Sequence, residues 1–216
     1  MDDGALSGGR LVTVAPAPAP GASARRGRPR SEKAREAVLC AAAELLLDSG
    51  LGAVSMDAVA EHAGVSKATI YRWWPTKEAL ALDALYHEWT ELSPAPRDTG
   101  SLRGDLLALL RPWARRIRSR PYARVLGTFI TKAHSDPAFA REYLTRLVNP
   151  RRDRARTLFE RAVERGELPA GTRVDVALDL LYGALYHRLL HGHAPLTDRF
   201  IADVVDMTLH GAVNPR

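Results

Sequence analysis

Cysteine occurs once in this chain of 216 residues, at position 40, so no disulfide can close within it and no set of cysteines can hold zinc. That scarcity fits a reducing compartment. Cys40 itself sits in the first helical stretch and is read as a small buried hydrophobe. No apolar run approaches the ~20 residues that span a bilayer. The amino end shows no secretory leader either, because Leu11, Val12, Thr13, Val14 and Ala15 are too short a stretch and follow Asp2 and Asp3. A cytoplasmic protein is therefore expected. Also missing are a glycine-rich phosphate loop, a nucleophile set beside a base by any motif, and a spaced acid pair. An enzyme is not expected, and no cofactor or metal is implied. The second half carries no alternating strand pattern, and no repeat runs through the chain.

Positive charge is what the chain has in excess: a net +6 and a pI near 9.8. Arginines are scattered along its whole length, so the total says little about partners. The local cluster says more. Arg25, Arg26, Arg28, Arg30, Lys33 and Arg35 stand against Glu32 alone between positions 25 and 35, and such a run suits a polyanion better than another part of the same fold. Ahead of it, residues 1–24 are rich in Ala, Pro and Gly, with APAPAP from Ala15 to Pro20. They have too few apolar anchors to offset the entropy of ordering, and disorder is expected.

The most informative segment runs from Ser55 to Leu80, SMDAVAEHAGVSKATIYRWWPTKEAL. Met56, Val59, Ala60 and Ala63 recur at helical spacing, and Gly64 follows where a positive φ can end one helix and start a sharp bend. Val65 plugs the angle between the helices. Ser66 is a good cap for the next one, Lys67 to about Trp74, since its hydroxyl can accept from a backbone N–H near Ala68 or Thr69. Ala60 allows the two helices to cross closely. The pattern predicts a DNA-binding helix-turn-helix. It is braced by a first helix that Ser31 starts and Gly50 stops, with the stripe Val38, Leu39, Ala42, Leu45, Leu46. A fourth helix starts after Pro75 with Thr76 as its cap and runs through Leu80, Leu82, Leu85 and Trp89 to the stretch SPAPRDTG at 93–100.

The order Ala60, Ala63-Gly64-Val65-Ser66, Ile70, Tyr71, Trp73-Trp74, Lys77-Glu78 and Leu80 resembles the TetR family of transcriptional regulators. The resemblance is strong over about residues 31–92 and extends beyond them only as a generic helical regulatory domain. It departs at Trp73-Trp74, where histidine or tyrosine followed by phenylalanine is commoner; Trp74 is read as the core member and Trp73 as partly exposed.

A helix-turn-helix lays the start of its second helix on base edges in the major groove and places neighbouring groups on phosphates. Lys67 can then donate to guanine, and the methyls of Ala68 and Thr69 can meet a thymine methyl. Tyr71 and Arg72, one turn on, suit phosphate or a further base. Ser55, Ser66, Trp73 and Lys77 complete the candidate set, with the N–H groups after Thr76 on the backbone. Upstream, Arg26-Gly27-Arg28-Pro29-Arg30 resembles the core of an AT-hook, an extended segment for a narrow A·T-rich minor groove; an unspecific phosphate-binding arm is the alternative.

The remaining apolar spacings are helical throughout, so the fold class is all-α: a three-helix helix-turn-helix domain followed by a helical ligand-binding and dimerisation domain. The boundaries are a tail at 1–24, the basic arm with the DNA-binding domain at 25–82, and the second domain at 83–216. Segments are expected from Ser101 to about Arg118 and from Tyr122 to Ser135. Asp136-Pro137 then opens a helix that Pro150 kinks or divides before the pattern resumes up to Gly166. Val174 to His191 is apolar around more than one face, and Thr197 to Leu209 offers Phe200, Ile201, Val204, Val205 and Leu209. The resemblance implies that these last two helices pair with their symmetry mates as a four-helix bundle.

The resemblance also implies that a small effector enters the second domain and changes the angle of the fourth helix. Trp113, Phe129, Tyr143, Leu147, Tyr182 and Tyr186 are candidates to line an apolar pocket, with plain core as the alternative for each. His187, His191 and His193 have partial metal-ligand spacing, but no Cys or close carboxylate completes a set, and surface histidines are the simpler reading. The resulting expectation is a ligand-responsive homodimeric repressor on a palindromic double-stranded operator. An architectural A·T-rich DNA-binding protein and an activator are the alternatives.

Overall fold

The computed structural model describes residues 28–91, 98–118 and 121–213. The tail at 1–24 and Arg26 lie outside the described residues, as do the side chains of Arg28 and Arg30. Among the described residues there are ten α-helices and no strand. No described helix is long and apolar enough to cross a membrane.

The first helix, α1 (Arg28–Ser49), begins three residues before Ser31. Pro29 lies in its first turn, where a missing N–H breaks no helical bond, so the extended Arg28-Pro29 conformation expected of a minor-groove arm is not the one observed. Val38, Leu39, Ala42 and Leu46 of α1 are buried. Cys40 corrects the expectation of burial: it is exposed, because it falls on the polar edge set by Glu36 and Glu44, four residues to either side. Its Sγ lies 4.0 Å from His87 Nε2.

A short 3-10 turn (Leu51–Ala53) leads into α2 (Met56–Ala63), α3 (Lys67–Tyr71) and α4 (Lys77–Glu91). Expected to reach Trp74, α3 instead stops at Tyr71. The chain then closes with bonds from Trp73 N and Trp74 N back to Ile70 O, and Pro75 disfavours helical geometry at Trp74. Ile70 and Trp74 are buried, while Trp73 is half-buried. Thr76 caps α4 by accepting from Ala79 N at 3.1 Å. Ala79, Leu80, Ala81, Leu82, Ala84 and Leu85 are all buried because α4 packs on α1 on one side and on the carboxy-terminal half on the other.

Five longer helices and one short one form the rest. They are α5 (Leu102–Ile117), α6 (Tyr122–Ser135), α7 (Pro137–Tyr143), α8 (Asn149–Glu164), α9 (Val174–His191) and α10 (Asp198–Val213). Ser101 caps α5, accepting from Gly104 N, and Asp136 caps α7, accepting from Ala138 N and Phe139 N at 3.0 Å. The expected break at Pro150 takes a specific form. A wide π-type turn over Leu144–Val148 joins α7 to α8 without an intervening loop, and Pro150 occupies the first turn of α8.

One charged side chain is fully buried in this half. Asp105 accepts from Thr99 N at 2.7 Å, from Thr99 Oγ1 at 2.8 Å and from Arg165 at 3.3 Å, which ties the start of α5 to the end of α8. Burial alone pushes its carboxyl pKa up, but the bonds from Thr99 and Arg165 prevail and hold it below the usual carboxylate value.

Candidate nucleic-acid interface and effector cavity

The bend between α2 and α3 is made by Gly64 at φ 66° and ψ 33°, a left-handed conformation that glycine adopts without the Cβ penalty other residues meet. Val65 N then donates to Ala60 O at 3.0 Å, and the half-buried Val65 side chain packs against the core beside Ala60. Each helix start is capped by a serine. Ser55 Oγ accepts from Ala58 N at 3.1 Å, and Ser66 Oγ accepts from Thr69 N at 3.3 Å while lying 2.9 Å from Thr69 Oγ1. Both hydroxyls are thus held by caps rather than left to rotate.

The expected recognition residues are exposed or half-buried. Ser66, Lys67, Ala68, Tyr71 and Arg72 are exposed, Tyr71 at 54 %, and Thr69, Trp73, Lys77 and Ser55 are half-buried around them. Arg72 stacks on Trp73 with its guanidinium 4.7 Å from the ring centroid, and Trp73 meets Trp74 edge-on at 5.7 Å. This cation–aromatic contact fixes an arginine that sequence alone leaves mobile.

Asp57, an acid to which sequence reasoning assigns no DNA contact, has a role here. Its Oδ1 lies 2.8 Å from Lys67 Nζ, a pair joining the first turn of α2 to the first turn of α3. The bond and charge of Asp57 hold the Lys67 ammonium pKa above its ordinary value. A signal was available: an acid in the first turn of α2, ten positions ahead of a lysine across a tight bend.

Behind the bend, α4 is tied into both halves. Trp74 Nε1 donates to Asp83 Oδ2 at 2.8 Å, and Arg146 of the π-type turn donates to the same oxygen at 3.0 Å. Further along, Glu88 accepts twice from Arg116 of α5, at 2.9 and 2.6 Å, and from Tyr122 OH at 3.2 Å. Burial and the Glu88 charge push the Tyr122 hydroxyl pKa well up, so it acts here as a donor.

Of the six expected pocket residues, Trp113 and Tyr182 line a cavity of about 30 Å³ between α4, α5, α8 and α9. Tyr186 stands beside it, 6.4 Å from Trp113. Phe129 and Tyr143 form an aromatic cluster with Phe139 instead, and neither they nor the buried Leu147 are among the cavity's lining residues. Burial and neighbouring Tyr186 push the Tyr143 hydroxyl up to about 12. The lining also holds Tyr86, Trp89 and Arg151, none of which was anticipated. A larger hollow of about 390 Å³ adjoins it between α1, α4 and the start of α8, and Tyr86 and Thr90 line both. The rings of His187, His191 and His193 cluster at 4.6 to 5.0 Å between centroids, and among the described residues no group of His, Cys, Asp and Glu is arranged to hold a metal ion.

Comparison with known proteins covers both halves. Residues 38–84 match the family described as bacterial regulatory proteins, tetR family, and residues 96–208 match the tetracyclin repressor-like C-terminal domain. The chain is 40% identical over 181 residues to the uncharacterized HTH-type transcriptional regulator YdeS of Bacillus subtilis, covering 84% of this chain and 90% of that one. It is 34% identical over 188 residues to the DNA-binding transcriptional repressor TetR of Mycobacteroides abscessus, covering 86% and 97%. Among solved structures, that of the TetR family transcription regulator SCO0332 superimposes with a TM-score of 0.73 at 39% identity, covering 85% of this chain and all of that one.

Proposed function

The chain belongs to the TetR family of transcriptional regulators, non-enzymatic proteins that bind DNA, and from that premise we propose that it acts as a homodimeric repressor released by a small apolar or amphipathic effector. Residues 25–82 serve as the DNA-binding unit, with the arginine arm of Arg26, Arg28 and Arg30 on phosphates, or on the minor groove if the first turn of α1 unwinds to the extended form. Residues 83–216 serve as the effector and dimerisation unit. Lys67, Ala68 and Thr69 read bases, while Ser55, Ser66, Tyr71, Arg72, Trp73 and Lys77 engage the backbone or flanking bases. The observation that carries this reading is the capped α3, whose outer surface is solvent-facing while Ile70 beneath it is fully buried.

Dimerisation is supported by large apolar side chains that are exposed on the last two helices. Leu180 is 55 % exposed and Met207 77 % exposed; Val176, one turn before Leu180, and Leu190, at the end of α9, are exposed as well. Pairing α9 and α10 with those of a second copy buries this face and sets two α3 helices ~34–36 Å apart, or a multiple, on a palindromic site. The protein acts in the cytoplasm, where DNA is accessible. Footprinting on the DNA upstream of its own coding region tests the reading. A protected palindrome with two half-sites is expected, weakened strongly when Lys67, Thr69 and Tyr71 are changed together to alanine. Uniform coating of A·T-rich DNA that survives the triple change would sink it.

A further inference from the structure

Among the described residues Arg151 has no acidic partner. Its neighbour Arg152 pairs with Asp175 and Asp179, yet Arg151 makes no ion pair among the described residues, and no carboxylate lines the cavity it faces. Aromatic faces surround it instead. The guanidinium lies 4.2 Å from the centroid of Tyr182, 4.7 Å from Tyr186, 5.3 Å from Trp89 and 6.0 Å from Trp113, and it donates to Tyr186 OH. Its Nε is buried without an acceptor. The same is true of Trp89 Nε1 and Trp113 Nε1, on side chains only 4 % and 5 % exposed.

Three N–H donors without acceptors thus meet at a single cavity lined by two arginines, Arg151 and Arg154, of which Arg151 is the one enclosed by aromatic rings. An unmatched buried donor is costly, and a half-buried cation without a counter-charge adds to that; aromatic faces offset only part of it. The missing element is an anionic acceptor. We infer that this cavity binds the carboxylate of a small aromatic acid, held by Arg151 with the indole N–H groups of Trp89 and Trp113. This deepens the proposed function, resting on its premise that an effector enters the carboxy-terminal half, and it specifies that effector's charge.

Size supports a divided site. A cavity of about 30 Å³ holds a group of only a few atoms, a carboxylate rather than a whole aromatic acid. The ring needs the adjoining hollow of about 390 Å³, whose walls set Leu39, Tyr86 and Pro150 among the polar side chains of Arg35, Asp83, His87 and Arg146. Tyr86 and Thr90 line both spaces, so a ligand that occupies the two together has to move the half-buried Tyr86 side chain aside. Since Tyr86 belongs to α4, occupancy acts directly on the helix that carries the DNA-binding unit.

The test titrates the full chain with benzoate, cinnamate and 1-naphthoate, each against its uncharged amide, following tryptophan fluorescence and thermal shift. At least one acid is expected to bind about tenfold or more tightly than its amide, since charge-assisted bonds add at least that much. Arg151→Met should bring acid and amide to the same affinity. If that variant does not fold by circular dichroism, Arg151→Lys and Trp113→Phe serve, each weakening the acid several-fold and the amide little. Equal binding of acids and amides, an acid preference that survives these changes, or no acid bound at all would overturn the assignment. Operator affinity measured in parallel separates it from the release reading. Arg151-dependent acid binding that leaves operator affinity unchanged upholds the cavity's ligand class and removes release by it. Operator release by neutral or cationic compounds alone upholds release and overturns the ligand class.

Discussion

The indole Nε1 of Trp74 donates to Asp83 Oδ2 at 2.8 Å, so the last core residue of the helix-turn-helix is bonded to the helix that follows it. The same carboxylate oxygen takes a bond from Arg146, in the turn that leads to Arg151. One acid therefore anchors the back of the DNA-binding unit and the entrance to α8 together. Asp83→Ala strands the Trp74 indole N–H and leaves Arg146 with Glu142 alone, and it should cost about 2 kcal/mol in urea unfolding. Operator affinity should fall with it, because α3 loses its rear support. Arg146→Ala should cost less, since Trp74 keeps its acceptor. An Asp83→Ala protein as stable as the parent would show that neither donor depends on that acid.

Lys67 is engaged before any DNA arrives, and binding has to part it from Asp57 or carry the acid along. Asp57→Asn removes the competitor and one negative charge from the approach to phosphate. Operator affinity should rise several-fold, and the slope of log affinity against log salt should steepen by roughly one. Fluorescence anisotropy at a series of salt concentrations measures both. Unchanged affinity and slope would mean that Lys67 stays with Asp57 in the complex.

Gly64 has open space where a Cβ would point, so alanine there meets no clash and is charged only for its positive φ. Gly64→Ala should destabilise by about 1–2 kcal/mol, with the fold retained. Thermal melting reads the loss, and a variant at parental stability would mean the backbone relaxes out of the left-handed region.

The Asp105 network gives a pH dependence with a definite sign. Because its folded pKa lies below the ordinary value near 3.9, its contribution is complete above that value and disappears as pH falls through the lower folded pKa. Asp105→Asn should remove this component, costing about 2 kcal/mol or more near neutrality and flattening the acid limb of stability against pH. Parallel acid limbs for the two proteins would count against it.

Leu180→Arg and Met207→Glu place charge on the uncovered apolar face of α9 and α10. Each should shift the protein towards monomer in light scattering and weaken operator binding at low concentration, with helix content by circular dichroism kept. A variant that stays dimeric would locate the contact elsewhere.

Helix ends were the most legible part of the fold, because they are punctuated by residues with a local mechanism. Tyr122–Ser135 and Val174–His191 appear at their expected bounds, one closed by Asp136-Pro137 and the other by Gly192 at φ 63°. Ser55, Ser66, Thr76, Ser101 and Asp136 all cap as their types suggest. Less legible was what depends on the far side of a contact. Cys40 reads as core until the Glu36–Glu44 edge is placed towards solvent. Arg151 sits in a run of arginines and Asp153 that looks solvated, and its aromatic surroundings are assembled from α4, α5 and α9, distant in sequence. The bend was readable for its backbone, whereas the Asp57–Lys67 pair required knowing how two short helices cross.

The outward position of the single thiol has a practical consequence. Cys40 lies on the brace of the DNA-binding unit, on the solvent side. A maleimide dye or nitroxide coupled there marks each subunit once with no background to engineer away. In an assembled pair, the spacing between two such labels is a ruler for the separation of the reading heads, with and without operator or organic acid.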